Sequence, residues 1–326
     1  MLSTVANSLY WLGRYMERIE NYARFIDVNF NLSLDLPPDV QEQWMPLIAT
    51  TGDLESYRKK NSNFDRQTAM YFLAFDEGNP NSIISCIKAS REIARTVRGS
   101  LNKEIWEKIN ETYYFVLKGK KQKVWTHEDP REFFKQVKLD IQLLYGISED
   151  SMSRGQGWYF SKLGQYIERA DKTSRILDVK YHLLLPSLDD VGSPIDYLQW
   201  TALLKSVTGF ELYCRECGTI EISGVVEFLT LNKHFPRSIL FSLKEAQKCL
   251  AIVSGTTDGG FSNRAEKELG SLVSDLQYAD VSEIIKSGLH EYIDDIQIKL
   301  VKITDAVYEH FFKIKPNFIR QKIEEQ

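Results

Sequence analysis

Two stretches of the chain set a carboxylate and a guanidinium side by side, Glu17-Arg18 and Glu168-Arg169. Around the first, Gly13, Glu17, Glu20, Arg24 and Asp27 step by four, three, four and three residues. Gly164, Glu168, Asp171, Arg175 and Asp178 repeat those steps around the second. At about 100° per residue each set falls on one helix face, with Arg18 and Arg169 about 100° to the side. The shared rule, Gly-x3-Glu-x2-acid-x3-Arg-x2-Asp, admits three chemistries. In the first, the two helices pack across a pseudo-two-fold axis, the glycines allow close approach, and each arginine pairs with a carboxylate of the other copy; such buried pairs set register. In the second, the acids at i, i+3 hold a metal. Di-metal carboxylate bundles place His three residues after Glu, whereas Glu20 and Asp171 stand there, so oxygen ligation would favour magnesium or manganese. In the third, Arg24 and Arg175 clamp an anionic or zwitterionic ligand, such as a phosphate or an amino-acid carboxylate. The pattern leaves all three open.

The elements that carry these faces are helices. Leu9, Leu12, Met16, Ile19, Ala23, Ile26 and Phe30 form an apolar stripe over residues 5–33, at the three- and four-residue steps of an amphipathic helix. Pro37-Pro38 stops the helical pattern beyond it. Helical spacing also covers about 64–75, 81–98, 101–118 and 131–146. Later it covers 158–184, 195–206, 211–217, 221–231, 237–254, 263–277 and 281–314. Asn79-Pro80 and Phe235-Pro236 place Pro at the start of two of these helices. No stretch alternates with period two between turn signals, so the predicted fold is an all-α helical bundle.

The chain also repeats itself. LGRYMERIENYARFIDVNF from Leu12 aligns without a gap on LGQYIERADKTSRILDVKY from Leu163, and the block from Phe72 aligns on the block from Phe228. At the second offset Trp44 meets Trp200 and Tyr57 meets Tyr213. Ordered matches at compatible offsets point to two tandem repeats, residues 1–150 and 151–326, packed as one compact unit. The boundary falls in the polar, glycine-containing segment from Ile147 to Gly157.

Composition narrows the function. The net charge of −4 over 326 residues, with 43% hydrophobic and 26% charged residues, describes a globular chain without a bulk basic field; no nucleic-acid partner is expected. Charged residues interrupt the first twenty positions, so no signal peptide is read there, and no run of 18 apolar residues marks a membrane span. Four cysteines make no disulfide framework, and a cytoplasmic setting is expected. Cys214-Arg-Glu-Cys217 lacks the second ligand pair of a zinc ribbon and the setting of a redox motif, and His182 has no partner at metal-ligand spacing. Arg237 and Ser238 sit at a helix start where free N–H groups suit anions, although Ser there is first a capping residue. Arg91, Glu92, Arg95 and Arg98 crowd one helix as a solvated face. The glycine-rich segment from Ser254 lacks the lysine of a phosphate-binding loop. No metal and no cofactor is expected.

The segments ANSLYWLGRYMERIENYARFIDV from Ala6, DEGNPNSIISCIKASREIARTVR from Asp76, LNKEIWEKIN from Leu101, YIERADKTSRILDVKYHLLLP from Tyr166 and FPRSILFSL from Phe235 resemble, in order, the bacterial alpha-E domain family, helical proteins named for a Glu-Arg motif. The motif maps onto Glu17-Arg18 and Glu168-Arg169. The resemblance implies an association with a circularly permuted ATP-grasp protein and a transglutaminase-like protein, in a peptide or amino-acid modification system. It leaves room for two functions. One is a non-catalytic binding or scaffold partner of an ATP-grasp amide ligase, favoured by the lack of a nucleophile–base pair. The other is an enzyme, or a subunit of a composite site, in which Glu17 and Glu168 supply acid–base chemistry and Arg24 and Arg175 bind an anionic or amino-acid substrate. Burial decides between them: glutamates that meet only arginines and reach no pocket cannot act on a substrate.

Overall fold

The computed structural model describes residues 1–35, 44–183, 194–256 and 260–313, and the side chains of residues 34, 35 and 179–183 lie outside this description. Fifteen α-helices and no strand are found among the described residues, an all-α fold. The helix α1 (Ser3–Asp35) runs 33 residues without a Gly or Pro after Gly13 to weaken it. Its predicted stripe is buried throughout, from Leu9 to Phe30. The burial extends further than one stripe, for every residue from Met16 to Ile26 is buried, on all sides of the helix. A single apolar stripe would leave the opposite face wet. Here that face is covered by α8 (Gln156–Leu183), which lies along α1.

These two helices form the axis of the molecule. Around α1 pack α5 (Ile83–Thr96), α7 (Arg131–Ser151) and α9 (Pro194–Ser206). Around α8 pack α12 (Ile239–Ser254), α15 (Leu289–Val307) and the short α2 (Trp44–Thr51). So α2 leans on α8 while α9 leans on α1, each crossing from one half of the chain to the central helix of the other. The sequence alignment pairs Tyr57 with Tyr213. Tyr57 and Tyr213 are both fully buried, and each meets edge-on the phenylalanine at its own end of the second alignment, Phe72 and Phe228, at 5.0 and 5.4 Å.

Several boundaries differ from the periodicity. The apolar pattern over 281–314 reads as one helix but is two, α14 (Val281–Ser287) and α15, because Gly288 takes a positive φ of 101° that a continuing helix does not allow. A π turn over Tyr308–Phe312 then ends α15. In the first half, α2 and α3 (Leu54–Arg58) lie where the sequence showed no helical pattern, being too short to display a period. Pro80 and Pro236 do not open their helices. The caps are Ser82 and Ser238, two residues further on, each accepting a hydrogen bond from the backbone three positions ahead, Ser85 N at 3.3 Å and Phe241 N at 3.0 Å. His182 and Pro37-Pro38 lie outside the described side chains or residues.

Candidate functional site

The close approach of α1 and α8 is set by their glycines. A Cβ added at Gly13 would overlap the Ser161 carbonyl oxygen, and one added at Gly164 would overlap the Tyr10 carbonyl oxygen. With backbone against backbone at that point, the residues one turn onward must face each other across a narrow gap. Those residues are Glu17 and Glu168, both fully buried.

Each glutamate is met by the motif arginine of the other half. Arg18 donates through Nε to Glu168 Oε1 at 2.7 Å and through Nη2 to Oε2 at 3.0 Å. Arg169 donates through Nε to Glu17 Oε1 at 3.0 Å and through Nη2 to Oε2 at 2.8 Å. Both are two-point forks, the strong geometry for a guanidinium on a carboxylate. The pairing across the halves is therefore made by Arg18 and Arg169. Arg24 and Arg175, which the helix wheel assigned to that task, instead pair within their own helices. Arg24 donates to Glu20 four residues back, and Arg175 Nε lies 3.0 Å from both oxygens of Asp171. The reason is reach. The flanking position, 100° off the acid face, points at the glutamate of the neighbouring helix, whereas the face position stacks over its own preceding turn.

A second cation reaches each glutamate by a different route. Arg14 Nε donates to Glu168 Oε2 at 2.8 Å, and Lys172 Nζ stands 3.6 Å from Oε1. On the other side Gln165 occupies the aligned place of Arg14, and the extra charge comes from Arg237, whose Nη1 donates to Glu17 Oε1 at 2.9 Å. Its Nη2 donates to Glu20 Oε2 at 2.6 Å. The place aligned with Arg237 holds Asn81, which accepts from Arg18 Nη1 at 2.5 Å and donates to Asp53 at 2.7 Å. Three neutral donors complete Glu17, Tyr145 at 3.0 Å, Gln165 at 3.3 Å and Asn21 at 3.1 Å. Gln142 of α7 donates to Glu20 at 3.1 Å.

Electrostatics follow from this crowding. Burial alone would raise both glutamates, since it disfavours the ionised form. Arg169 and Arg237 outweigh it at Glu17 and hold that carboxyl well below the ordinary range. Arg18, Arg14 and Lys172 do the same at Glu168. Asp171 is also held low, burial being overcome by Lys172 and Arg175. Burial, with Arg237 nearby, pulls Arg24 down to about 10, and its Nε has no hydrogen-bond partner among the described residues.

The remaining predicted positions lie at the margins. Asp27 is 3.7 Å from Lys138 of α7, and burial raises its carboxyl. Asp178 lies 2.6 Å from His290 Nδ1 of α15. Ser238 is a helix cap, and Arg237 turns its side chain away from that cap to the glutamates. Arg91 lies over the Tyr113 ring at 5.0 Å, and Arg95 pairs with Glu92 in solvent. Cys214 and Cys217 are free thiols, and no group of three or more His, Cys, Asp or Glu side chains is arranged to hold a metal among the described residues. Glu17, Glu20, Glu168 and Asp171 are each turned onto a cation instead. No helix among the described residues is long and apolar enough to cross a membrane. The face as read from sequence omits Arg14, Asn21, Lys172, Tyr145 and Gln165. Arg14 and Lys172 stand one turn from Arg18 and Glu168, so helical spacing could have found them; Tyr145 reaches the site from a different helix, and no local pattern marks it.

Comparison with known proteins gives the family and little about activity. The chain is 22% identical to an uncharacterised protein of Mycobacterium bovis and 21% identical to one of Mycobacterium tuberculosis, each over 334 aligned residues. These alignments cover 93% of this chain but 36% of each relative, so the chain spans about a third of their length. No solved structure matches. The model of the Alpha-E family, described as a predicted alpha-helical domain with a conserved ER motif, matches residues 1–312. That match spans both Glu-Arg dipeptides of the forked pairs, Glu17-Arg18 and Glu168-Arg169, and the chain belongs to the Alpha-E family.

Proposed function

We propose that this protein is a non-catalytic binding or scaffold module, in which the Glu-Arg motif clamps two tandem helical repeats, 1–150 and 151–326, into one unit. One observation carries this reading. Glu17 and Glu168 are fully buried, ionised by their arginines, and occupied at both oxygens. A general acid or base needs a pKa near the working pH and a proton within reach on a substrate; these groups have neither. Replacing one by alanine would strand buried cations, at about 3–5 kcal/mol for such a loss. The motif thus has a physical reason to persist without chemistry.

The family resemblance supplies the partner in this proposal, a circularly permuted ATP-grasp ligase, with a transglutaminase-like protein in the same peptide or amino-acid modification system. The module would present its helical surface to the ligase and work where the ligase works. Co-expression of the two, followed by affinity purification and size-exclusion chromatography, tests this. A stoichiometric complex that raises ligase turnover is expected. A ligase that works at full rate alone and elutes apart from this chain would contradict the proposal.

A further inference from the structure

A cavity of about 270 Å³ opens beside the Glu168 half of the network. Four of its lining residues are cations, Arg14, Arg18, Lys172 and Arg175, drawn from both central helices. Arg18 is spent: its Nε and Nη2 hold Glu168 and its Nη1 holds Asn81. The other two arginines are not. Arg14 gives only Nε to Glu168, and Arg175 gives only Nε to Asp171. Among the described residues no hydrogen bond takes the Nη donors of either. Arg14 is 12% exposed at its side chain and lies over the Trp11 ring at 5.1 Å, so its guanidinium is fixed in place. A buried, oriented guanidinium with both Nη groups free is half of a bidentate contact awaiting an oxyanion.

The charge balance selects among oxyanions. The four cations face Asp171 and Asp305 in the lining, with Glu168 directly beneath them and Asp53 one hydrogen bond behind Asn81. A dianionic phosphate would leave this site negative. Asp305, on the exposed side of α15, makes no ion pair among the described residues and stands at the rim. Ile167, Leu300 and Val301 give the same cavity an apolar wall. We infer that the cavity binds a small zwitterion of the amino-acid class, its carboxylate on the free Nη donors of Arg14 and Arg175 and its ammonium toward Asp305. This inference uses the structural reading of Glu17 and Glu168 but not the ligase partnership.

Saturation-transfer NMR on the full chain, which detects millimolar affinities, tests it with L-leucine, N-acetyl-L-leucine and L-leucinamide as probes, and with phosphorus line broadening for inorganic phosphate. Transfer is expected to leucine and, more weakly, to N-acetyl-leucine, and none to leucinamide. Arg175→Gln should weaken leucine at least tenfold, and Asp305→Asn should weaken leucine while leaving N-acetyl-leucine unchanged. Val301→Trp, at an exposed position that carries no ion pair, fills the mouth and should abolish transfer even if Arg175→Gln does not fold. Transfer to none of the carboxylates, transfer that Val301→Trp does not change, or phosphate displacing leucine would each overturn the inference. Any of these results would leave the structural role of the glutamates standing, since that rests on their buried forked pairs and is tested separately by denaturation.

Discussion

At the scale of single residues, two carboxylates stay ionised out of water. Their pKa is depressed in the fold relative to the unfolded value near 4.5. The stability they contribute is therefore fully present above that unfolded value and is lost as pH falls through the folded one. Glu17→Gln removes the charge at every pH. The stability gap between wild type and this variant should be constant from about pH 6 to pH 8 and should begin to narrow only below the unfolded value near 4.5, closing progressively toward the folded one. Urea denaturation at a series of pH values reads this directly; a gap that closes between pH 5 and pH 7 would show a glutamate that titrates near neutrality, as a catalytic one must. The glutamates and their neighbouring arginines were legible in the sequence as a repeated face. Which arginine meets which glutamate was not, because a helix wheel places residues on one helix and says nothing of what lies across the gap. The exchange of Arg14 and Asn81 for Gln165 and Arg237 shows the same limit. In each half a second cation is present, but it comes from the central helix in one and from the loop before α12 in the other.

At the scale of elements, the glycines decide how near the central helices come. Gly13 and Gly164 face carbonyl oxygens of the opposite helix with no room for a methyl group. Gly13→Ala should force α1 and α8 apart and lengthen the forked ion pairs beyond them, a strain of about 1–3 kcal/mol. Gly146→Ala in α7 is the control, since a Cβ there meets nothing within 4 Å. It should stabilise the helix by roughly 0.5–1 kcal/mol, the ordinary gain over glycine in a helix interior. Denaturation midpoints of the two variants should move in opposite directions. Long helices with strong periodicity, such as α1, α6 (Lys103–Lys121) and α7, were readable from the sequence within a few residues. The break at Gly288 was not, because Ile284, Leu289 and Ile293 continue an apolar stripe across a turn whose cause is one backbone angle.

At the scale of the whole molecule, the central claim is that the Glu-Arg motif is the joint between two halves of the chain. The two central helices bring their own neighbours with them, α2 reaching across to α8 and α9 across to α1. The forked pairs lie at the middle of that exchange, where burial keeps solvent from replacing a lost partner. The sequence announced an all-helical fold. It could not announce the cavity beside Glu168, whose walls come from α1, α8, α15 and the end of α2, elements far apart along the chain. A double-mutant cycle on Glu17 and Arg169 tests the claim most directly, with stability measured for Glu17→Ala, Arg169→Ala and the pair together. Each single change should cost about 3–5 kcal/mol, because each strands a buried charge. The double change should cost less than the sum by about 2–3 kcal/mol. Single variants that unfold with the wild-type midpoint, or costs that simply add, would contradict the joint and return the motif to chemistry.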